Sequence, residues 1–363
     1  MPRPAHKRLY LIPTLSRAFD IIDLLEGEKG PLSLEAIYQR LKVPKTTVFR
    51  ILKTLVHRGQ VVQTQDSLYR LVSRPKKMRF GFAGQSSEMP FSEAVTESLK
   101  LAASSFGIDL LVLDNRYDAV SAVRNAEQFV QQRVDLVIEF QVEHNVAAVI
   151  ADKISAAGIP LIAVDIPHPH ATYFGADNYR VGYAAGELLA QYAIDHWKSK
   201  VNWVIGLDME LAGTFVQTRT TGAFDGIRTY LDHLPIESFV RMDSRGLRDK
   251  ARTIIADFLR RHKNDKHILI CAHNDTVALG TLEAVRELKR EKHVAIVGQD
   301  CIPEALEEIS ISDSPFVGSI SHEAASYGPS LLRLGIAILR DEVVPPYNYV
   351  EYKVITRNSV LPQ

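Results

Sequence analysis

The spacing of apolar residues changes period along this chain, and the change divides it. In the first part apolar positions recur at intervals of three and four. Leu15, Ala18, Phe19, Ile22 and Leu25 form one helical stripe, which Gly27 and Gly30 end. Ser33 stands where it caps a second helix, SLEAIYQRL, with Leu34, Ile37 and Leu41 on one face. Pro44 suits the first turn of a third helix, VPKTTVFRILKTL, where its missing N–H would have no helical partner anyway. After Gly59 the pattern becomes VVQTQDSLYRL, two strand-like runs about Gln65, Asp66 and Ser67 that read as a hairpin. Three helices followed by a hairpin predict a winged helix-turn-helix over residues 1–76.

From Met78 onward strand-like and helix-like stretches alternate. RFGFAG, IDLLVLD, VDLVIEF and IPLIAVD are separated by helical segments. After a long helix around Tyr179 to His196 the alternation resumes with VNWVIGL, ESFVRM, HILICA and VAIVGQD. Such alternation predicts an α/β architecture of parallel sheets covered by helices, and its length, residues 77–363, predicts two doubly wound lobes. A chain of 363 residues exceeds what one hydrophobic core usually supports, which agrees with several domains.

Composition, 46% hydrophobic and 24% charged, is that of a soluble globular protein. The zero net charge conceals a division: residues 1–76 hold 14 Lys and Arg against 6 Asp and Glu, and the remainder holds 29 against 37. A basic segment joined to an acidic one points to a polyanion-binding module carried by something with another task, although a charge count alone describes a solvated surface equally well. Early cations precede only a brief apolar run, LYLI, broken by Pro13 and followed by no small-residue cleavage site, so no secretory signal is expected. No run reaches the length of a membrane span. Two cysteines, Cys271 and Cys301, are too few for a disulfide framework and suit a reducing cytoplasm; both are expected just past strand ends, as small buried hydrophobes. The segment SRPKK, residues 73–77, is a short basic connection that predicts coupled rather than loosely tethered domains.

The charge division gives the third helix a meaning. At about 100° per residue, Val48, Ile51, Leu52 and Leu55 fall on one side and Thr46, Arg50, Lys53 and His57 on the other. In a helix-turn-helix the N-terminal residues of such a helix reach base edges in the major groove, so Lys45, Thr46, Thr47 and Arg50 are the candidates for groove contact. Lys53, Arg58 and the wing residue Arg70 are candidates for phosphate contact, which carries affinity without sequence information. TLSRAFDIIDLL, SLEAIYQRLKVPKTTVFRILKTLVHRGQV and the YRL wing together resemble the winged helix of the IclR family of bacterial regulators. The resemblance covers about the first fifth of the chain. The remaining four fifths do not resemble the ligand domain usual in that family.

In open α/β sheets ligands bind beyond the carboxyl ends of the strands, and those positions here are unusually polar. Asp165 closes IPLIAVD, Asn274 and Asp275 follow HILICAH, Asp300 closes VAIVGQD, and His322 ends FVGSIS. Phe91 is expected in the loop after the first strand and Arg219 near a helix start. Taken singly, Asp165 and Asp300 equally suit turns, Asn274 or Asp275 a helix N-cap, and Arg219 a surface cation. As a set, amides, carboxylates, a guanidinium and an aromatic are what a neutral polyhydroxy ligand requires, because each hydroxyl both donates and accepts.

GIPLIAVD with GADNYRVGYAAGELLA, then GTFVQTRTTGAFDGI, AHNDTVALGTLEAV, VGQD and SISHEAASYG resemble the type I periplasmic binding-protein fold of ribose-type sugar binders and LacI/GalR effector domains. The resemblance spans residues 78 to about 355. It implies that Asp165, Arg219, Asn274 and Asp300 hydrogen-bond a sugar, that Phe91 stacks on it, and that His322 stands where the family often has glutamine. The chain departs from ribose-type binders at SSEMPFS, which has Met89 and a single Phe91 where an asparagine and paired aromatics are common, and at Ile166, where arginine is common.

Enzyme signatures are absent: there is no GxSxG, Walker loop or dinucleotide glycine pattern, and HEAAS at His322 lacks the second histidine of a zinc site. IPHPH, with His168 and His170, reads as a proline-rich loop in preference to a metal site. The expectation is therefore a non-enzymatic, cytoplasmic regulator with no cofactor and no metal. It binds operator DNA as a homodimer, and a small carbohydrate closes the sensor lobes and re-spaces the winged helices. A sugar-binding protein of transport or chemotaxis is the alternative, and a sugar-modifying enzyme the third option.

Overall fold

The structure, a computed structural model, describes residues 12–28, 30–72 and 77–360. The basic connection at 73–76, and all of the early apolar run except Ile12, lie outside the described residues. By their contacts the residues fall into two compact units, Met1–Lys76 and Lys77–Gln363.

The first unit contains α1 (Pro13–Glu26), β1 (Leu32–Ser33), α2 (Leu34–Leu41), α3 (Lys45–His57), β2 (Val61–Gln63) and β3 (Leu68–Leu71). Ser33 caps α2, its Oγ accepting from Ala36 N at 3.1 Å. Pro44 stands one position earlier than expected, as the N-cap of α3, and its carbonyl accepts from Thr47 and Val48. Ile21, Leu25, Ile37, Val48, Ile51, Leu52, Val61 and Tyr69 form the core. The α1 stripe is rotated from its expected position: Ile21 is buried while Leu15 and Phe19 stay exposed. At roughly 100° per residue those two lie off the Ala18–Ile21–Leu25 line that the core covers. The hairpin also gains a third strand, because Leu32 and Ser33 pair antiparallel with Tyr69 and Leu68.

The second unit begins with β4 (Arg79–Gly84), α4 (Pro90–Phe106), β5 (Asp109–Asp114), α5 (Ala119–Gln131), β6 (Leu136–Glu139), α6 (Ala147–Ala156), β7 (Leu161–Val164) and β8 (Thr172–Gly175). It continues with α7 (Asn178–Trp197), β9 (Trp203–Asp208), α8 (Thr214–Tyr230), β10 (Phe239–Asp243), α9 (Arg248–Arg261), β11 (Ile268–Ala272), α10 (Asp275–Glu287) and β12 (Val294–Gln299). α11 (Pro303–Ser310), β13 (Phe316–Ser321), α12 (Ala324–Leu339), β14 (Tyr347–Tyr349) and β15 (Lys353–Thr356) complete it.

Two sheets result, ordered β14-β8-β7-β6-β4-β5 and β10-β9-β11-β12-β13-β15. All pairings within them are parallel except β13 with β15. Apolar side chains line both faces of each sheet, as parallel strands covered on both sides require. On the first sheet Phe80, Phe82 and Ile138 meet Leu99 of α4 and Tyr327 and Leu331 of α12, while Ala83 and Val137 meet Phe129 of α5 and Ile150 of α6. On the second, Ile205, Ile270 and Ile296 meet α9 and α10, and Val204, Leu269 and Val297 meet α7 and α8. The chain passes between the lobes after β8, after β13 and again between β14 and β15. Cys271 differs from expectation in lying inside β11, buried, while Cys301 follows β12. Among the described residues no helix is long and apolar enough to cross a membrane.

Candidate ligand cleft and nucleic-acid interface

The carboxyl ends of both sheets face one tight cavity of about 60 Å³. Phe91, Asp165, Arg219, Asn274, Asp300 and His322 all line it. Phe91 is the second residue of α4 instead of a loop residue, and its ring packs edge-on against Phe140, His322 and Tyr327.

Asp165 and Asp300 each follow a strand in the left-handed region, at φ 59° and 104°. Side chains other than glycine rarely hold this conformation, and here it turns the strand ends so that both carboxylates enter the cavity. Asp165 Oδ1 accepts from Ala176 N at 3.2 Å. A Cβ at Gly175 would collide with that oxygen, so the glycine makes room for the acid. Burial raises the Asp165 carboxyl to about 6 against the lowering effect of Arg219. Burial also raises Asp300 well above the usual range, with Asp275 adding to the effect and Arg219 opposing it.

Arg219 is held on two sides. Its Nε donates to Asn178 Oδ1 at 3.0 Å and its Nη1 to the His273 carbonyl at 2.7 Å. Asn274 serves partly as a cap: Oδ1 accepts from Val277 N at 2.8 Å, which leaves the amide nitrogen turned toward the Gly246 carbonyl at 3.5 Å. Asp275 is wholly buried beneath the site, accepting from Ser319 Oγ at 2.7 Å and Ile302 N at 3.0 Å, and so braces the turn that carries Asp300.

His322 is neutral, its imidazole lowered to about 3 by burial first and by Arg219 second. Neither ring nitrogen has a hydrogen-bond partner, and Nε2 stands 4.0 Å from Asp300 Oδ1, beyond hydrogen-bond reach. A buried imidazole and a half-buried carboxyl thus face each other with capacity unused, an arrangement that calls for a ligand or water between them.

Bonds from lobe to lobe shut the mouth. Tyr117 Oη donates to the Arg245 carbonyl at 2.9 Å, and Val142 and Ile166 of the first lobe pack with Met209, Ala212 and Val216 of the second. Asn178, His273 and Tyr117 were not singled out from the sequence, and Asp275 was named there only as a polar strand-end residue or helix N-cap. Asn178, in GADNYRVG at the start of a helix, had a local signal of its position but none of its partner Arg219. His168 of IPHPH is a buried loop histidine, lowered to about 4, with Nδ1 2.8 Å from the Ile166 carbonyl. No group of three or more His, Cys, Asp or Glu among the described residues is placed to hold a metal.

In the first unit, Lys45, Thr46, Arg50, Lys53, Arg58 and Arg70 are exposed and Thr47 is half-buried. Lys45 pairs with Glu35 at 2.8 Å, and Lys53 donates to Gln63 Oε1 at 3.2 Å. Both contacts are at the surface, where such pairs are weak and easily exchanged. Phe49, 43% exposed beside Lys53, belongs to the same surface and was missed by an apolar-stripe reading.

Comparison with known proteins decides the class. The periplasmic binding protein domain matches residues 80–342. The chain belongs to the periplasmic-binding-protein family. Ahead of this periplasmic-binding-protein domain it carries an IclR helix-turn-helix domain, matched over residues 14–65. The ribose import binding protein RbsB of Bacillus subtilis (strain 168) is 22% identical over 261 residues, 69% of this chain and 81% of that protein. "Probable transcriptional regulator SauR" of Cupriavidus necator is 36% identical over 84 residues, 23% of this chain; the match spans about a third of that protein's length. Among solved structures, the solute-binding protein of an Actinobacillus succinogenes ABC transporter, with bound D-allose, superposes with TM-score 0.68 at 19% identity over 78% of this chain and 99% of that one. A Bacillus halodurans solute-binding protein with bound myo-inositol gives TM-score 0.67 at 18% identity over 80% and 98%. At these identities the structures establish the fold.

Proposed function

We propose that the chain is a sequence-specific DNA-binding transcriptional regulator whose operator affinity is set by a small, uncharged carbohydrate held between the lobes. The observation that carries this reading is the convergence of Phe91, Asp165, Arg219, Asn274, Asp300 and His322 on one cavity, in a chain that also bears an IclR helix-turn-helix domain. Each hydroxyl of such a ligand donates and accepts, and the unpartnered ring nitrogens of His322 and the nearby Asp300 carboxyl can answer it. Phe91 offers the apolar face that a sugar ring packs on.

Asp165 and Asp300 share the guanidinium of Arg219 in the cavity lining, and among the described residues no second Lys or Arg lines the cavity to hold a phosphorylated or acidic sugar. The relative named for ribose import, and the solved structures holding D-allose and myo-inositol, support a neutral polyol. Lys45, Thr46, Thr47 and Arg50 would meet base edges and Lys53, Arg58 and Arg70 phosphates, in the cytoplasm. A homodimer would present two such helices to paired half-sites. A transport binding protein, the other use of this sensor fold, has no task for a basic helix-turn-helix. Ligand control requires different ligand affinities in the DNA-tight and DNA-weak arrangements.

A thermal-shift screen of the full chain against pentoses, hexoses and their phosphates tests the sensor. A neutral sugar at 100 times its Kd should stabilise by about 2.7 kcal/mol, and its phosphate should give no shift. A response confined to phosphates overturns the reading. Selection from a random duplex library should enrich a two-fold symmetric sequence; failure to enrich any sequence removes the DNA half.

A further inference from the structure

We propose that the ligand is a deoxygenated sugar, a polyol whose methyl or methylene group seats against Ile166, Met209, Ala212 and Val216. The inference rests on the reading of the cleft as a neutral-carbohydrate site and narrows it. Those four side chains line the cavity and pack together from both lobes, at 2%, 5%, 1% and 5% exposure. They present no hydrogen-bonding group except the Met209 sulfur, which already lies 3.8 Å from Tyr117 Oη.

The polar side chains of the cavity are partly committed to the protein. Arg219 gives Nε and Nη1 to Asn178 and His273, Asn274 gives Oδ1 to the cap of α10, and Asp165 gives Oδ1 to Ala176. Capacity left for hydroxyls lies at Asp300, at His322, whose two ring nitrogens are without partners, at Arg219 Nη2 and Asp165 Oδ2, and at Gln85 and Thr276, none of them among the apolar four. The cavity therefore has a place that demands hydroxyls and a wall that cannot answer one. A hydroxyl pressed on that wall loses its water and finds no replacement, whereas a methyl group gains by burial.

The test is titration calorimetry of the full chain with matched pairs: D-fucose and D-galactose, L-rhamnose and L-mannose, 5-deoxy-D-ribose and D-ribose. In a pair that binds, the deoxy member should be tighter by about tenfold or more, the scale of discrimination by an apolar pocket. Val216→Thr, nearly isosteric, should narrow that ratio at least threefold by offering the parent hydroxyl a partner, and Ile166→Asn should narrow it further. Parent sugars binding as tightly as their deoxy partners overturn this inference and leave the carbohydrate reading standing. An unchanged ratio in a folded Val216→Thr protein overturns the assignment of the wall. Absence of binding by all six sugars, together with no response to any unmodified monosaccharide, overturns both.

Discussion

Glu139 shows how one residue sets a pH dependence here. It ends β6 wholly buried, with Oε1 accepting from Asn115 Nδ2 at 2.7 Å and Oε2 without a partner. Burial raises its carboxyl to about 8. A folded-state value above the unfolded one means that the folded protein holds the proton more tightly. The stability this contributes is present at low pH and is lost as pH rises from about 4.5 through 8. Glu139→Gln keeps the acceptor for Asn115 and has no proton to lose. Its stability relative to the parent should therefore climb over that window and level off above it, by at most about 5 kcal/mol for a shift of this size. Urea unfolding at pH 5, 7 and 8.5 reads the trend, and a pH-independent difference would contradict it. At this scale the sequence displayed the strand-end acids because polar residues closing apolar runs are visible locally. It did not display the second partners. Asn178 and Gly175 act on Arg219 and Asp165 through contacts 41 and 10 positions away in the chain, which no local pattern encodes.

Glycines let the helices α7 and α8 pack backbone to backbone. Gly182 and Gly186 face the carbonyls of Arg219 and Ala223, and Gly222 and Gly226 face those of Tyr179 and Tyr183, so the two backbones lie in direct contact. This closeness brings the Arg219 guanidinium to Asn178 at the start of α7. Gly182→Ala must push α8 away at Arg219 itself, and should cost about 1 to 3 kcal/mol of stability together with most of the ligand-induced thermal shift. Gly186→Ala, one turn farther on, should cost similar stability and retain more of the shift. Equal ligand affinity in the two variants, measured by calorimetry, would contradict the positioning role. The long helices and β-rich runs were legible because burial imposes the periods of 3.6 and 2 over many residues. β1 was not, having only two residues. β14 and β15 were not either, since Tyr347 pairs with Tyr173 and Thr356 with Gly318, partners remote in sequence. The outer edge of the α1 stripe failed for a related reason: amphipathicity tells which residues suit a core, and packing partners decide how far round the helix the core reaches.

For the whole molecule, the α/β alternation and the charge division carried the architecture, whereas closure of the cleft had no sequence signal. Phe215 of the second lobe packs on Tyr173 and Tyr347 of the first, at 5.2 and 6.2 Å between ring centroids. Together with Tyr117 and the Ile166–Met209 seal, it holds the lobes closed across three chain crossings. Such contacts change ligand affinity without touching ligand, because they set the fraction of molecules already closed. Phe215→Ala should weaken sugar binding by about tenfold, read by calorimetry; unchanged affinity would place closure under other contacts.

The central claim is that sugar in the cleft and DNA at the basic helices are thermodynamically coupled. Operator affinity of the full chain, measured with and without saturating sugar for the parent and for Asp300→Asn, tests it most directly. We expect a shift of at least fivefold in the parent, the lower end of ordinary coupling, and none in Asp300→Asn, whose operator affinity without sugar should match the parent's. Identical operator affinity at zero and saturating sugar in the parent would contradict it.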